Sequence, residues 1–305
     1  MAVSSRVSLH KLEIFDAVVQ RGGITKAADH LGVAQPVITA HIRSLEERVG
    51  VTLFARAGRH LQLTEAGRAV HEWATGVLRS TRELSRDLDS VSGGLQGTIA
   101  LATSMSIGSY RLPGLLGQFL RDRPAVQLRM DILDAAHAIA ETDAGLNDFS
   151  VVVVKAPGSN PALVAERLGS EDLVIVTAPN GPYACTDDVT IEQLHELPFI
   201  EAQQGSMRRS FTDGELDRIG LAKRRVVIEI GHPEAMKRLV AAGTGVCCLF
   251  RSAVSRELAD GELQELNVAP VHMSGTLYLV HRKDKFFSAV QGHLIDQLRV
   301  YLADS

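Results

Sequence analysis

The sequence predicts an α+β multi-domain chain: a small helical head closed by a two-stranded hairpin, one long amphipathic helix, and an α/β body. Three patterns predict it. Two short helical stretches meet at a glycine-containing turn around Gly32; apolar residues fall seven apart from Val70 to Val91; and from Thr98 onward short β-branched runs alternate with helical ones. At 305 residues the chain exceeds what one core usually organises, and 45% hydrophobic with 22% charged residues leaves no compositional case for disorder.

The first helical stretch, Ser8 to Gln20, sets Leu9, Leu12, Phe15, Ala17, Val18 and Val19 at mostly helical intervals and ends at Arg21-Gly22-Gly23. Thr25 then reads as the N-cap of a short helix, Lys26 to Leu31, whose Ala27-Ala28 pair admits a close neighbour. After Gly32, Pro36 stands in the first turn of a third helix, where its missing N–H costs nothing. Val37, Ile38, Ile42, Leu45 and Val49 form its inner side, and Gly50 ends it. Gln35, Thr39, Ala40, His41, Arg43 and Ser44 are left outside.

Two short helices joined in this way form a helix-turn-helix, whose second helix enters the major groove of DNA. Gln35 suits adenine, Thr39 offers a hydroxyl and a methyl, and Arg43 reaches guanine or phosphate. The competing reading is an ordinary solvated helix face. Leu53 to Arg56 and His60 to Leu63 follow as two short strands around Ala57-Gly58-Arg59, the shape of a wing. Arg56 and Arg59 would meet phosphates or the minor groove there, or simply keep the hairpin soluble.

Thr64-Glu65-Ala66-Gly67 opens a helix in which Val70, Val77, Leu84 and Val91, with Ala74, Thr81 and Leu88, make an a/d seam. A seam this long predicts a homodimer; packing on its own domain is the alternative. Charge agrees with a DNA-binding head: residues 1–64 hold eight Lys/Arg against five Asp/Glu, whereas the chain as a whole carries a net charge of -4. No run approaches the roughly 18 apolar residues of a membrane span and no basic-then-apolar signal segment opens the chain, so the expected location is the cytoplasm. Cys185, Cys247 and Cys248 make neither a disulfide framework nor a metal spacing and read as buried reduced thiols.

The ordered set Ala27-Ala28, Leu31, Gln35-Pro36, Thr39, Ile42, Leu45-Glu46, Gly50, Leu53-Phe54, Arg56, Leu63-Thr64 and Ala66-Gly67 resembles the signature of LysR-type transcriptional regulators. Ala34 stands where a serine N-cap is frequent in that family, and Ala40-His41 replaces an often more basic pair. The resemblance implies a winged helix-turn-helix at residues 1–64, a linker dimerisation helix at 65–93 and an effector-binding domain at 94–305. That domain would have type 2 periplasmic-binding-protein architecture, with subdomain I at 94–165 and 269–305 and subdomain II at 166–268. It further implies promoter DNA as partner, with contacts from Thr25, Gln35, Pro36, Thr39, His41, Arg43, Arg56 and Arg59. A homodimer through Val70, Val77, Leu84 and Val91, pairing into a homotetramer, and RNA polymerase as a candidate partner complete the implied assembly.

In the body, strands are expected at Thr98–Ala102, Val126–Ile132, Ser150–Val154, Leu173–Thr177, Val226–Ile230 and Thr276–Val280. Helices are expected at Leu112–Arg123, Ala136–Ala144, Ile191–His195, Ser210–Ile219, Pro233–Ala242 and Ser288–Ala303. Sheets of this sort bind ligands at strand ends. Thr103-Ser104-Met105-Ser106 ends the first body strand with hydroxyls that serve either an anion or a helix cap. Gln203, Gly205, Ser206 and Arg208 form a second loop opening a helix, with Gly205 free for an unusual backbone angle. His232 begins a third segment, which reads equally as hinge packing, as do Gly243 and Gly245.

These loops resemble, loosely, those of family members that control carboxylase-based carbon fixation or cysteine biosynthesis, which respond to small anionic metabolites. Val153, where some relatives carry a hydroxyl, admits a less polar ligand such as an aromatic acid. No cofactor is expected beyond a small-molecule effector. No catalytic set comes together around His232 or Cys247, so no enzyme is expected either. The alternative function is a solute-binding sensor without direct gene control.

Overall fold

The computed structural model describes residues 7–57, 60–91, 97–268 and 271–303, except the side chains of 56, 57, 60, 82, 83 and 85–91. The chain divides into two compact units, one made largely of residues up to Leu88 and one largely of those from Asp89 onward.

The first unit contains α1 (Leu9–Arg21), α2 (Ile24–Leu31), α3 (Gln35–Val49), the antiparallel hairpin β1 (Phe54–Ala57) and β2 (His60–Leu63), and the long α4 (Glu65–Val91). Gly32, at φ +66°, ends α2 in the left-handed conformation that side chains with a Cβ resist, and Pro36 stands in the first turn of α3 behind the N-cap position of Ala34. Leu12, Phe15, Val18, Ala27, Ala28, Ile38 and Leu45 meet in one buried cluster, where each large side chain contributes about 1.5–3 kcal/mol of transfer free energy. The Phe15 ring stands edge-on to Phe54 at 5.4 Å and so ties α1 to the hairpin. Glu46 accepts the Leu53 N–H at 2.7 Å, and the Thr64 hydroxyl caps α4 by accepting the Gly67 N–H at 2.8 Å.

Two sequence expectations for this unit are corrected, and the residues of the α4 seam divide between two faces. Thr25 is not an N-cap: α2 begins at Ile24 behind Gly23, because the glycine turn that closes α1 lets the next helix start early. Leu9 of α1 and Val37 of α3 are exposed, Val37 by 43%, since the inner stripe of each helix is narrower than its apolar residues suggest. The first half of the heptad seam is spent at home: Val70 and Val77 pack half-buried on the head's own core beside the buried Ala74 and Leu78. Outward on α4 stand Trp73, 41% exposed, and Leu84, 59% exposed; the Val91 side chain lies outside the described residues.

The second unit is built on a seven-stranded mixed sheet in the order β10-β6-β11-β5-β3-β4, with β9 also against β6. Its strands are β3 (Gly97–Ser104), β4 (Val126–Leu133), β5 (Phe149–Val154), β6 (Leu163–Thr177), β9 (Cys247–Phe250), β10 (Gln264–Leu266) and β11 (Met273–Arg282). A two-stranded parallel sheet, β7 (Pro198–Glu201) with β8 (Arg225–Glu229), is bridged from Phe199 to Val246, just ahead of β9. The helices are α5 (Leu112–Arg121), α6 (Ala135–Asp143), α7 (Ile191–Glu196), α8 (Met207–Arg218), α9 (Pro233–Ala241), α10 (Arg251–Ala259) and α11 (Ala289–Ala303).

Strand β6 is three times the length expected. It pairs with β11 from Leu163–Arg282 to Leu173–Met273, and from Leu173 onward it pairs with β9 and then β10. The two larger buried clusters of this unit therefore share one continuous ribbon. Ile99, Leu101, Phe149, Leu279 and Leu294 belong to one, and Leu173, Ile175, Phe199, Leu216 and Val246 to the other.

The helix expected from Leu112 begins at Met105, directly after Ser104, and passes through a π-helical turn, Ile107–Arg111, before α5. Cys247 and Cys248 are buried and Cys185 half-buried, all as free thiols, and burial pushes the first two well above the usual thiol range. No helix among the described residues is long and apolar enough to cross a membrane.

Candidate functional sites

The outer face of α3 follows from its inner one. With Ile38, Ile42 and Leu45 turned into the core, Gln35, Pro36, Thr39, Ala40, Arg43, Ser44 and Glu47 line an open hollow on the head. Thr25 sits at its edge, its hydroxyl donating to Gln35 Oε1 at 3.5 Å, and Thr39 Oγ1 donates to the Gln35 carbonyl at 3.1 Å. Arg43 is exposed and makes no ion pair among the described residues. His41 is half-buried, edge-on to His10 at 5.2 Å, while Lys11 donates to Ser44 at 2.9 Å. These residues form a polar face rich in donors, with Glu47 its one carboxylate. Arg56 lies on β1 opposite Leu61, but its side chain, like the whole of Arg59, lies outside the described residues.

In the second unit a cavity of about 560 Å³ opens where β3, β5, the start of α8 and the segment before α9 converge. Ser104, Met105, Ser106, Val153, Gln203, Ser206 and Arg208, all singled out in the sequence, line it together. Thr103, Gly205 and His232 do not. Thr103 is fully buried and donates to the Val151 carbonyl at 2.8 Å, because side chains alternate along β3 and its neighbours point the other way. Gly205, at φ +81°, shapes the loop without lining the cavity. His232 caps α9, its Nδ1 accepting the Glu234 N–H at 3.3 Å.

Ser206 caps α8, accepting the Arg209 N–H at 3.2 Å and donating to the Gln203 carbonyl at 2.7 Å. Arg208 reaches across and donates through Nη2 to the carbonyls of Ile230 (3.4 Å) and Gly231 (3.1 Å). Burial draws its guanidinium below the ordinary arginine value, against smaller raising influences from Cys247, Tyr110 and Glu201.

Tyr110, Lys155, Phe211 and Phe250 also line the cavity and went unnoticed in the sequence. Phe211 was within reach, since it lies three residues after Arg208 and four after Met207 and so shares their face of α8. Phe250 packs beside it at a ring separation of 5.5 Å. Beneath Phe211 lies Gly275 on β11, where a Cβ would come within 2.3 Å of Val153 Cγ1 and 2.7 Å of Phe211 Cζ.

Residues 9–68 match the family model for the bacterial regulatory helix-turn-helix of the lysR family, and residues 92–303 match the LysR substrate binding domain. The chain belongs to the LysR family. It is a DNA-binding transcriptional regulator whose C-terminal domain binds a small-molecule effector, and not an enzyme. This LysR-type regulator is 29% identical over 292 residues to a RuBisCO operon transcriptional regulator of Allochromatium vinosum, covering 94% of this chain and 93% of that one. Its fold is similar to that of full-length CbnR complexed with target DNA (TM-score 0.61, 19% identity, 97% of this chain and 99% of that chain). It is also similar to the Synechocystis PCC6803 CcmR regulatory domain in complex with 2-PG (TM-score 0.58, 22% identity, 67% and 97%). The winged helix-turn-helix with a two-part α/β effector domain, expected from sequence, is thus the fold of the family.

Proposed function

We propose that this LysR-type regulator reads promoter DNA with the outer face of α3 and adjusts that reading when a small anion fills the cavity of the second unit. The observation that carries the proposal is the convergence of Ser104, Ser106, Ser206 and Arg208 on one cavity, from segments about a hundred residues apart in sequence. Hydroxyls, the N-terminus of the helix that starts at Met105 and a half-buried guanidinium are the groups that hold an anion. The CcmR domain was solved with 2-PG, and the Allochromatium vinosum relative is named for an operon of carbon fixation, which agrees with an anionic effector.

In the DNA reading, Gln35 and Thr39 meet base edges, Arg43 meets guanine or phosphate, and Thr25, Pro36 and His41 border the groove. The exposed Val37 supplies apolar contact of the kind a thymine methyl accepts. Arg56 and Arg59 of the wing hold phosphate or minor groove on the strength of sequence alone. Outward side chains of α4, Leu84 and Trp73, form the dimer seam, which Val91 extends and which Val70 and Val77 support from the inside. Dimers pair into tetramers through the effector domains, the assembly works in the cytoplasm, and RNA polymerase is its partner at the promoter.

The working division is 1–64 for DNA, 65–93 for dimerisation and 94–305 for the effector. Within that last domain, 94–165 with 269–305 and 166–268 are the two subdomains, and closing them on ligand changes the bend of the DNA. Footprinting the full chain on its own promoter, with and without candidate anions, tests the proposal. Protection that shifts with an anion in the wild type but not in Arg208→Gln supports it, and protection indifferent to every anion sinks the switch.

A further inference from the structure

The polar groups around the cavity are already committed to the protein to an unusual extent. The Ser206 hydroxyl is used in both directions as a cap, Thr212 donates to the Arg208 carbonyl at 3.1 Å, and Tyr110 donates to Glu234 at 2.6 Å. Lys155 pairs with Glu215 at 3.1 Å, and Asp134 accepts the His137 N–H at 3.0 Å as well as its ring. Of the rest, the Gln203 amide and the Ser210 hydroxyl are exposed and make no side-chain hydrogen bond among the described residues, and three groups lie deeper. Ser104 accepts the Val153 N–H at 3.4 Å and keeps its O–H to give; Ser106, 8% exposed, has no side-chain partner among the described residues; and Arg208 keeps Nε and Nη1. The large apolar side chains around the cavity are Met105, Ile132, Val153, Leu173, Phe211 and Phe250.

Resting on the reading of this cavity as the effector site, we propose that its ligand is an amphipathic monoanion, a single carboxylate-like head on an apolar body the size of a ring. The head meets Ser104, Ser106 and the free edge of Arg208. The body lies against Phe211 and Phe250, whose tilted rings suit the offset packing of a third flat group. Gly275 is what lets Phe211 settle low enough to leave that room.

A compact dianion, or a chain of hydroxyls, would leave the wall of Val153, Leu173, Phe211 and Phe250 without an apolar partner. The cavity, at about 560 Å³, also exceeds what an anionic head fills by itself. Burial leaves the Arg208 guanidinium short of solvation, so an arriving carboxylate restores what the fold removed.

The test is calorimetric titration and thermal melting of the full chain with phenylacetate, cyclohexanecarboxylate, phenylacetamide, acetate, inorganic phosphate and 2-phosphoglycolate. The expected result is that the two ring acids raise the melting temperature and bind about tenfold or more tightly than the uncharged amide and the three compact anions. Arg208→Gln and Ser106→Ala, each melting unliganded like the wild type, lower ring-acid affinity about tenfold. The small serine change keeps the test valid should the arginine variant misfold. Phosphate or 2-phosphoglycolate binding more tightly than the ring acids, and doing so through Arg208, overturns the amphipathic ligand while leaving the effector site intact. Ring acids that bind both variants as well as the wild type place themselves elsewhere and overturn both readings. Absence of ring-acid binding at millimolar concentration overturns the proposal.

Discussion

The Tyr110 hydroxyl donates a 2.6 Å hydrogen bond to Glu234 Oε1, joining the π-helical turn after β3 to the first turn of α9 beside the cavity that Tyr110 and Pro233 line. Lys237 binds the same carboxylate oxygen at 2.7 Å, reaches Glu257 at 2.6 Å and lies 5.1 Å from the centre of the Tyr110 ring. Burial, then Glu234, hold the phenol protonated far above its ordinary range, so the donor is constant at all physiological pH. Removing it in Tyr110→Phe should cost about 1 kcal/mol of stability, read as a lower urea midpoint. The same change should alter the effector concentration needed for half-maximal footprint change without altering DNA affinity in its absence.

Gly275→Ala places a methyl against Val153 and Phe211 with no flexible side-chain end to yield. Destabilisation of about 1–3 kcal/mol is expected from overpacking, together with loss of any ligand-induced rise in melting temperature. An effector response of wild-type size in this variant would mean that Phe211 does not bound the ligand.

Leu84 protrudes from α4 with 59% of its surface exposed, so a charge there costs the isolated protomer little. Leu84→Lys should abolish the dimerisation proposed for α4, giving a monomer in sedimentation while far-ultraviolet dichroism stays unchanged. A variant that remains dimeric at low micromolar concentration would remove α4 from the interface.

Gln35→Ala should relax base choice by about 1–3 kcal/mol at one operator position, because the amide can bond an adenine edge. Arg59→Ala should instead weaken specific and random DNA alike and reduce the salt slope by about one charge. Equal losses on both kinds of DNA for the Gln35 change would make it a backbone contact.

Acid stability has a definite sign at Glu166. The bidentate bond from Arg299, at 2.8 Å to each oxygen, outweighs burial and holds the carboxyl below its ordinary value near 4.5. A folded value depressed in this way contributes stability above the unfolded value, and that contribution fades as pH falls through the folded one. Arg299→Gln should therefore flatten the acid limb of the stability profile below about pH 5 and leave the alkaline limb alone.

The head was legible because its signals are local: glycine stops, Pro36 and three-four spacing fix helices without help from distant residues. Thr25 and Val37 were misread where position depended on how the neighbouring helix begins or how wide its buried stripe is. In the body, β7, β9 and α10 escaped notice because four-residue buried runs such as Pro198–Glu201 and Cys247–Phe250 carry no periodicity. The cavity was visible through Ser104, Ser106, Ser206 and Arg208. Its aromatic wall was not, since nothing local says that Phe250 and Phe211 meet or that Gly275 lies under them.

Strands β6 and β11 run side by side through both cores, held by an unbroken ladder from Leu163–Arg282 to Leu173–Met273 apart from one irregularity at Leu277/Tyr278. A two-stranded ribbon of this kind resists sliding, since a slip of one residue would turn every side chain to the opposite face. Torsion, unlike sliding, keeps each side chain on its own face. A ligand that shifted one core against the other would therefore twist that ribbon, most easily where the ladder already steps.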